Sequence, residues 1–271
     1  MTVLDSSASA SKPADNSQPG ATPLDLNRPR CRTCSQRERC LPGTLNCAQA
    51  QAFENIVQRR RPLLTGEHLF RVGDAFRFLC AVQSGCLKTY TVDTEGREHV
   101  MSFYFPGEVI GVDAIYPERH MSSAVALSPS QVCYLPFSAL NRLCHEIPEL
   151  QVQVWRMLSR DMLGTASIAG DYTANERLAG FLVMVVARLH RNTPAPTALD
   201  LSMSRQDIAN YLRLAPETVS RILARFQRDG LVKTDRKHIT LLDPAGLGEI
   251  AACLNPYARF GDPPSRRTAA S

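Results

Sequence analysis

The chain lacks several features that would fix its class at once. No apolar run reaches the roughly 20 residues needed to cross a bilayer, and the N-terminus has no basic region followed by an apolar stretch. A soluble, cytoplasmic protein with no membrane partner is the expectation. None of the six histidines stands in a metal or nucleophile motif, and neither a P-loop nor a dinucleotide fingerprint occurs. Multiple turnover has no support in the sequence, so an enzyme is not expected. With no secretory leader, a disulfide framework is not expected either, and the nine cysteines point to metal or redox chemistry.

What is present is an ordinary globular composition, 44% hydrophobic and 7% aromatic over 271 residues, enough for two small domains or one large one. The formal net charge of +5 is unevenly spread. From Arg177 to His238 there are eleven Lys/Arg against five Asp/Glu, a net of +6, which leaves −1 for the remainder. A basic C-terminal region suits a polyanionic partner; a solvated basic face is the plainer alternative.

Residues 1–30 are rich in Ser, Ala, Pro, Asp and Asn and are expected to be disordered. Residues 251–271, with Pro263-Pro264 and Arg266-Arg267, are expected to form a loose tail. Within 48–145, the bounds expected for a sensor domain, short apolar runs between Pro62 and Phe137 alternate with turns such as Gln83-Ser84-Gly85, Asp93-Thr94-Glu95-Gly96 and Phe105-Pro106-Gly107-Glu108. The pattern predicts an all-β roll or barrel, with strands near Leu79–Val82, Cys86–Val92 and His99–Phe105. The period then becomes helical. Trp155, Leu158, Met162, Thr165 and Ala169 are spaced 3, 4, 3 and 4 along a helix expected within 146–174. Such a stripe either packs on the roll or pairs with a second copy as a dimer seam, and its place between two units favours the seam. A further helix, Asn175 to His190, carries Leu178, Phe181, Leu182, Val185, Val186 and Leu189 before Asn192-Thr193-Pro194-Ala195-Pro196 breaks it.

The segment 175–250 then reads as a winged helix-turn-helix. Ser204 caps a helix that continues through Ile208, Ala209 and Leu212, and Arg213-Leu214-Ala215 forms the turn. Pro216 suits the first position of the next helix, where its missing N–H costs nothing. Val219, Ile222, Leu223 and Phe226 form the apolar stripe of that helix, while Glu217, Thr218, Ser220, Arg221 and Arg225 are left to read DNA. Arginine can bond bidentately to guanine and a carboxylate can accept from cytosine N4, which is what the start of a recognition helix does in the major groove. Gly230 ends the helix, and Lys233, Arg236 and Lys237 on the expected wing are phosphate-contact candidates.

The order of β-roll, long helix and winged helix-turn-helix resembles the CRP/FNR family of bacterial regulators over most of residues 31–250. Pro216-Glu217-Thr218-Val219-Ser220-Arg221 is similar to the recognition helix of its FNR branch, with Glu, Ser and Arg at E-x-x-S-R spacing. The resemblance implies an α+β fold with a cyclic-nucleotide-binding-like roll. It also implies a homodimer on palindromic DNA with TTGAT-N4-ATCAA-like sites, and exposed loops, including Asp93–Arg97, that touch RNA polymerase.

Residues 31–47 carry Cys31, Cys34 and Cys40 in a C-x2-C-x5-C pattern. Thiolates this close can wrap one soft centre, zinc or an iron–sulfur cluster, and leave a fourth position open. Cys47 is near and Cys133 distant; spacing does not choose between them. The resemblance to oxygen-sensing FNR proteins implies a [4Fe–4S] cluster on Cys31, Cys34, Cys40 and Cys133, and hence an anaerobic global regulator, activator or repressor. A zinc site on Cys31, Cys34, Cys40 and Cys47, or a CRP-like regulator responding to another small ligand, is the alternative. Cys80, Cys86 and Cys144 are expected to be small core residues. Cyclic-nucleotide binding is not expected, because no Arg stands beside Ser122-Ser123 to meet a phosphate, and Arg119 comes several residues too early.

Overall fold

The computed structural model describes residues 31–166, 171–189, 198–235 and 238–252. The cysteine segment runs through three short 3-10 turns, Cys31–Thr33, Arg37–Arg39 and Leu41–Thr44. Asn46 then caps helix α1 (Cys47–Ile56) in a capping box with Gln49. That helix was not expected from the sequence, which assigned the segment to the roll.

The roll consists of β1 (Gln58–Arg59), β2 (His68–Phe70), β3 (Phe78–Ser84), β4 (Leu87–Val92), β5 (Glu98–Tyr104), β6 (Val109–Ile110), β7 (Ser123–Ala126) and β8 (Gln131–Pro136). They form two four-stranded sheets, ordered β1-β8-β3-β6 and β2-β7-β4-β5. Period-two alternation gives β3 and β8 two buried faces. Cys80, Val82, Val132 and Tyr134 point between the sheets toward Leu87 and Ala124. Leu79, Ala81 and Leu135 point outward, beneath Phe53 of α1. Cys133 lies on this outer face, opposite Ala81 and Arg59 in register. At Gly85 (φ +87°) an added Cβ would stand 2.2 Å from Ser130 Oγ, so the β3–β4 turn admits no side chain there.

Helix α2 (Phe137–Glu146) leads into α3 (Pro148–Ala166). The inner face of α3 buries Leu150 and Met157 in one core with Leu41, Leu45 and Phe53. Its other face is uncovered: Trp155 is 60% and Met162 74% exposed, with Leu158 half-buried between them. The stripe read from the sequence therefore does not pack on the roll. Thr165 lies within α3; Ala169 lies outside the described residues. The helix expected within 146–174 is not continuous, for Asp171 to Thr173 are not helical. Thr173 and Glu176 instead form a reciprocal cap on the next helix, α4 (Ala174–Leu189).

The C-terminal unit comprises α4, β9 (Ala198–Asp200), α5 (Arg205–Leu212), α6 (Pro216–Arg228), β10 (Val232–Asp235), β11 (His238–Leu241) and α7 (Pro244–Ile250). Its sheet has three strands, β10-β11-β9, one more than the expected wing. The unit shares a core with the roll: Phe103 of β5 meets Phe181 of α4 and Tyr211 of α5, with ring centroids 6.0 and 5.2 Å away. Polar ties accompany the rings. Asn210 Oδ1 accepts from Val100 N at 2.7 Å, and its Nδ2 donates to Glu98 O.

Candidate metal centre and nucleic-acid interface

Cys31, Cys34, Cys40 and Cys133 line a single pocket, walled by Pro42, Phe53, Val57, Ala81 and Leu135 and rimmed by Gln36, Arg37 and Gln83. Cys31 lies in the first 3-10 turn, Cys34 and Cys40 in the links that join the three turns, and Cys133 on β8. Cys47, at the start of α1, is exposed and does not line the pocket. Burial pushes the Cys31 thiol up to about 12, helped by Cys133, Glu54 and Cys34. Burial does the same at Cys40, also to about 12, opposed by a hydrogen bond from the Leu41 backbone and reinforced by Cys133, Cys31 and Cys34. At Cys133 burial raises the thiol while Arg59 pulls the other way. The sulfurs thus sense one another across the chain.

Thiols held this high stay protonated near neutrality unless a soft metal centre displaces the proton. The donor set is all sulfur, and Gln36 Oε1 is buried there without a partner. Gln36 N also donates to Cys34 Sγ at 3.4 Å. These residues fit a thiolate-ligated centre. Among the described residues, no three His, Cys, Asp or Glu side chains already converge on a single metal position. The pocket gathers the four cysteines without bringing them to one metal position. Cys80, Cys86 and Cys144 are buried, as expected of small apolar side chains.

Ser122 Oγ donates to Asp113 Oδ2 at 3.2 Å, and the exposed Arg119 reaches the Gly73 carbonyl. Glu108 is held by Arg188 of α4, through Nε at 2.8 Å and Nη2 at 2.6 Å, while the same Nη2 donates to Phe103 O at 2.6 Å.

In the C-terminal unit, α6 buries Val219, Ile222, Leu223 and Phe226 and leaves Glu217, Ser220, Arg221 and Arg225 exposed, with Thr218 half-buried. Its turn from α5 passes through Arg213 in the left-handed region (φ +55°). Gly230 (φ +74°) closes its far end, where Leu231 N donates to Phe226 O at 2.9 Å. Ser220 Oγ donates to Pro216 O at 3.0 Å, so the hydroxyl presents its lone pairs outward. Lys233 is exposed on β10, whereas Arg236 and Lys237 lie outside the described residues.

Two family models match the chain: a cyclic nucleotide-binding domain over residues 60–146 and a Crp-like helix-turn-helix domain over residues 176–250. The transcriptional activator protein Anr of Pseudomonas protegens is 40% identical over 228 residues, 83% of this chain and 93% of that protein. The chain belongs to the CRP/FNR family. Among its other relatives, the fumarate and nitrate reduction regulatory protein of Escherichia coli is 36% identical over 224 residues, covering 82% of this chain and 90% of that protein. The fold is shared with FixK2 from Bradyrhizobium japonicum, with a TM-score of 0.65 at 24% identity over 72% of this chain and 97% of that one. This CRP/FNR member is therefore a DNA-binding transcription regulator of Anr/FNR type and not an enzyme. No helix among its described residues is long and apolar enough to cross a membrane.

Sequence reasoning missed the side chains around the sulfurs. Arg59 and Gln83 carry no motif, and only the pairing of strands sets them near the sulfurs. It also missed Arg39, whose Nη1 donates to Leu189 O at 3.0 Å and so joins the cysteine segment to the C-terminus of α4.

Proposed function

We infer that this regulator answers to oxygen through a [4Fe–4S] cluster held by Cys31, Cys34, Cys40 and Cys133. The observation that carries the reading is the common pocket of those four cysteines, from which Cys47 is absent. When bound, the cluster supplies a centre that oxygen or nitric oxide degrades. The chain's own part is to make the cysteine segment's order depend on that centre. Leu41 and Leu45 pack with Leu150 and Met157 of α3, and Gln153 Nε2 donates to Thr44 Oγ1 at 3.0 Å. A segment tied down by its sulfurs thus supports the helix whose outer face bears Trp155, Leu158 and Met162. Those residues, continued by Thr165 and Ala169, form the seam of a homodimer.

In the dimer, two copies of α6 enter successive major grooves of a TTGAT-N4-ATCAA-like site. Arg221 and Glu217 read base edges, Ser220 accepts from an exposed amino group, and Thr218, Arg225, Lys233 and Lys237 hold the backbone. The Asp93–Arg97 hairpin faces RNA polymerase; its tip is stiffened by Asp93, which accepts from Glu95 N and Arg97 N at 2.9 Å each.

The test is anaerobic purification with iron, sulfide and zinc analysis and a visible spectrum before and after air. A brown protein that bleaches in air and then loses affinity for the palindrome is expected. A colourless protein with stoichiometric zinc and no iron would sink the reading.

A further inference from the structure

Three consecutive arginines, Arg59, Arg60 and Arg61, follow α1, and each meets a different partner. Arg61 forks onto Glu67 at 2.8 and 2.9 Å. Arg60 lies over the rings of Tyr134 and Phe78, 4.3 and 5.0 Å from their centroids. Arg59 stands opposite Cys133 in the β1–β8 ladder, and side chains so paired have Cβ atoms about 5 Å apart. Its Nη2 donates to Gln83 Oε1 at 2.8 Å, and Gln83 rims the cysteine pocket. Arg59 also opposes the upward push of burial on the thiols of both Cys133 and Cys31. Arg37, which does line the pocket, spends Nη2 on Leu45 O at 3.0 Å.

We propose that Arg59 is the charge partner of the Cys133 sulfur in the loaded metal centre, fixing this strand-borne ligand and offsetting the negative charge that four bound thiolates bring. The inference rests on the metal-centre reading above. Its electrostatic logic holds for either metal. Four thiols are neutral, whereas four thiolates around a doubly charged centre total about −2. Burying that anion without a counter-charge is costly, and a guanidinium stays protonated while donating to the sulfur and to an amide at once. Hydrogen bonds and charges beside ligand sulfurs also set the reduction potential of a cluster. Arg59 is a positioning residue, acting through Cys133.

Full-length protein purified without oxygen tests this as wild type, Arg59→Gln, Arg59→Lys and Arg60→Ala. Reduction adds negative charge, so losing a neighbouring cation moves the midpoint potential of the chromophore to more negative values. Arg59→Gln is expected to show that shift, Arg59→Lys to recover most of it, and Arg60→Ala to match wild type. An unshifted Arg59→Gln, or an equal shift in Arg60→Ala, overturns the proposal. A second arm needs no iron: metal-stripped protein is titrated with cobalt(II), whose thiolate absorption reports sulfur ligation. Arg59→Gln should weaken cobalt binding about tenfold when Cys133 is present and leave it nearly unchanged in the Cys133→Ser background. Equal weakening in both backgrounds overturns the pairing. Wild-type protein that never takes up iron would defeat the cluster reading, while the cobalt arm still decides the role of Arg59.

Discussion

Lys88 Nζ lies 2.7 Å from Asp207 Oδ1, so a single ammonium on β4 fastens the roll to the first helix of the helix-turn-helix. Both side chains are largely buried, at 11% and 14% exposure, and Glu98 completes the cluster from β5 at 2.7 Å.

Removing the cation strands a buried carboxylate, so Lys88→Met should destabilise the folded protein by about 3 kcal/mol. The pH dependence has a definite sign. Burial acts to raise the Asp207 carboxyl, but hydrogen bonds from Lys88 and Ser204 outweigh it and hold the group below its usual range. Its contribution is therefore present above about pH 4 and lost as pH falls through the depressed value. Burial acts to lower Lys88, and Asp207 and Glu98 reverse that, so its contribution is lost as pH rises through a value above its usual range. Urea midpoints should fall more steeply from about pH 7 to about pH 3 in wild type than in the Asp207→Asn protein. Parallel slopes would contradict the pairing.

Arg221 is exposed on α6, with no hydrogen bond or ion pair to its side chain among the described residues. Arg221→Ala should cost about 1–3 kcal/mol of affinity and relax preference at one base pair of each half-site. Binding measured on a panel of singly substituted sites checks this; uniform weakening on every site would make Arg221 a phosphate contact.

Ligand choice separates two serine variants. Cys133→Ser should abolish the chromophore and oxygen-labile DNA binding, and Cys47→Ser should preserve both, as read by visible absorbance and iron content. The opposite result would transfer the fourth position to Cys47.

Met162 is 74% exposed on α3, in the stripe proposed as the dimer seam. Met162→Asp places like charges across the seam and should weaken self-association by about 3 kcal/mol, roughly 100-fold. Sedimentation of the anaerobic protein is the measurement, and an unchanged dimer would exclude this face.

Arg213 occupies a left-handed conformation that glycine adopts freely, and its side chain is exposed. Arg213→Gly should raise the urea midpoint by an amount equivalent to about 0.5–1 kcal/mol. A fall would mean that the side chain, and not the backbone, stabilises the turn.

Much of this was legible because periodicity reports burial. Val219, Ile222, Leu223 and Phe226 were readable as one stripe, and the same four are the buried residues of α6. The roll's longer strands were readable from their turns. Strand β9 was not: with Leu199 as its single inward residue it is too short for any period to register. The Arg188–Glu108 fork was invisible for another reason, since its partners are 80 residues apart and either alone reads as a surface charge. The cysteine spacing identified three ligand candidates, while the fourth required the family resemblance. What no local pattern encodes is which side chain a neighbouring strand sets beside it, and that is how Arg59 escaped notice.

Strand β8 is hydrogen-bonded on both sides, by β1 and β3, whereas Cys31, Cys34 and Cys40 lie in and between short 3-10 turns. A centre bound by these four sulfurs, as proposed, would be moored asymmetrically, with one sulfur on bedrock and three on a sling. Severing the mooring would then displace the sling before the strand, pulling through Leu41 and Leu45 on α3 and through Arg39 on the end of α4.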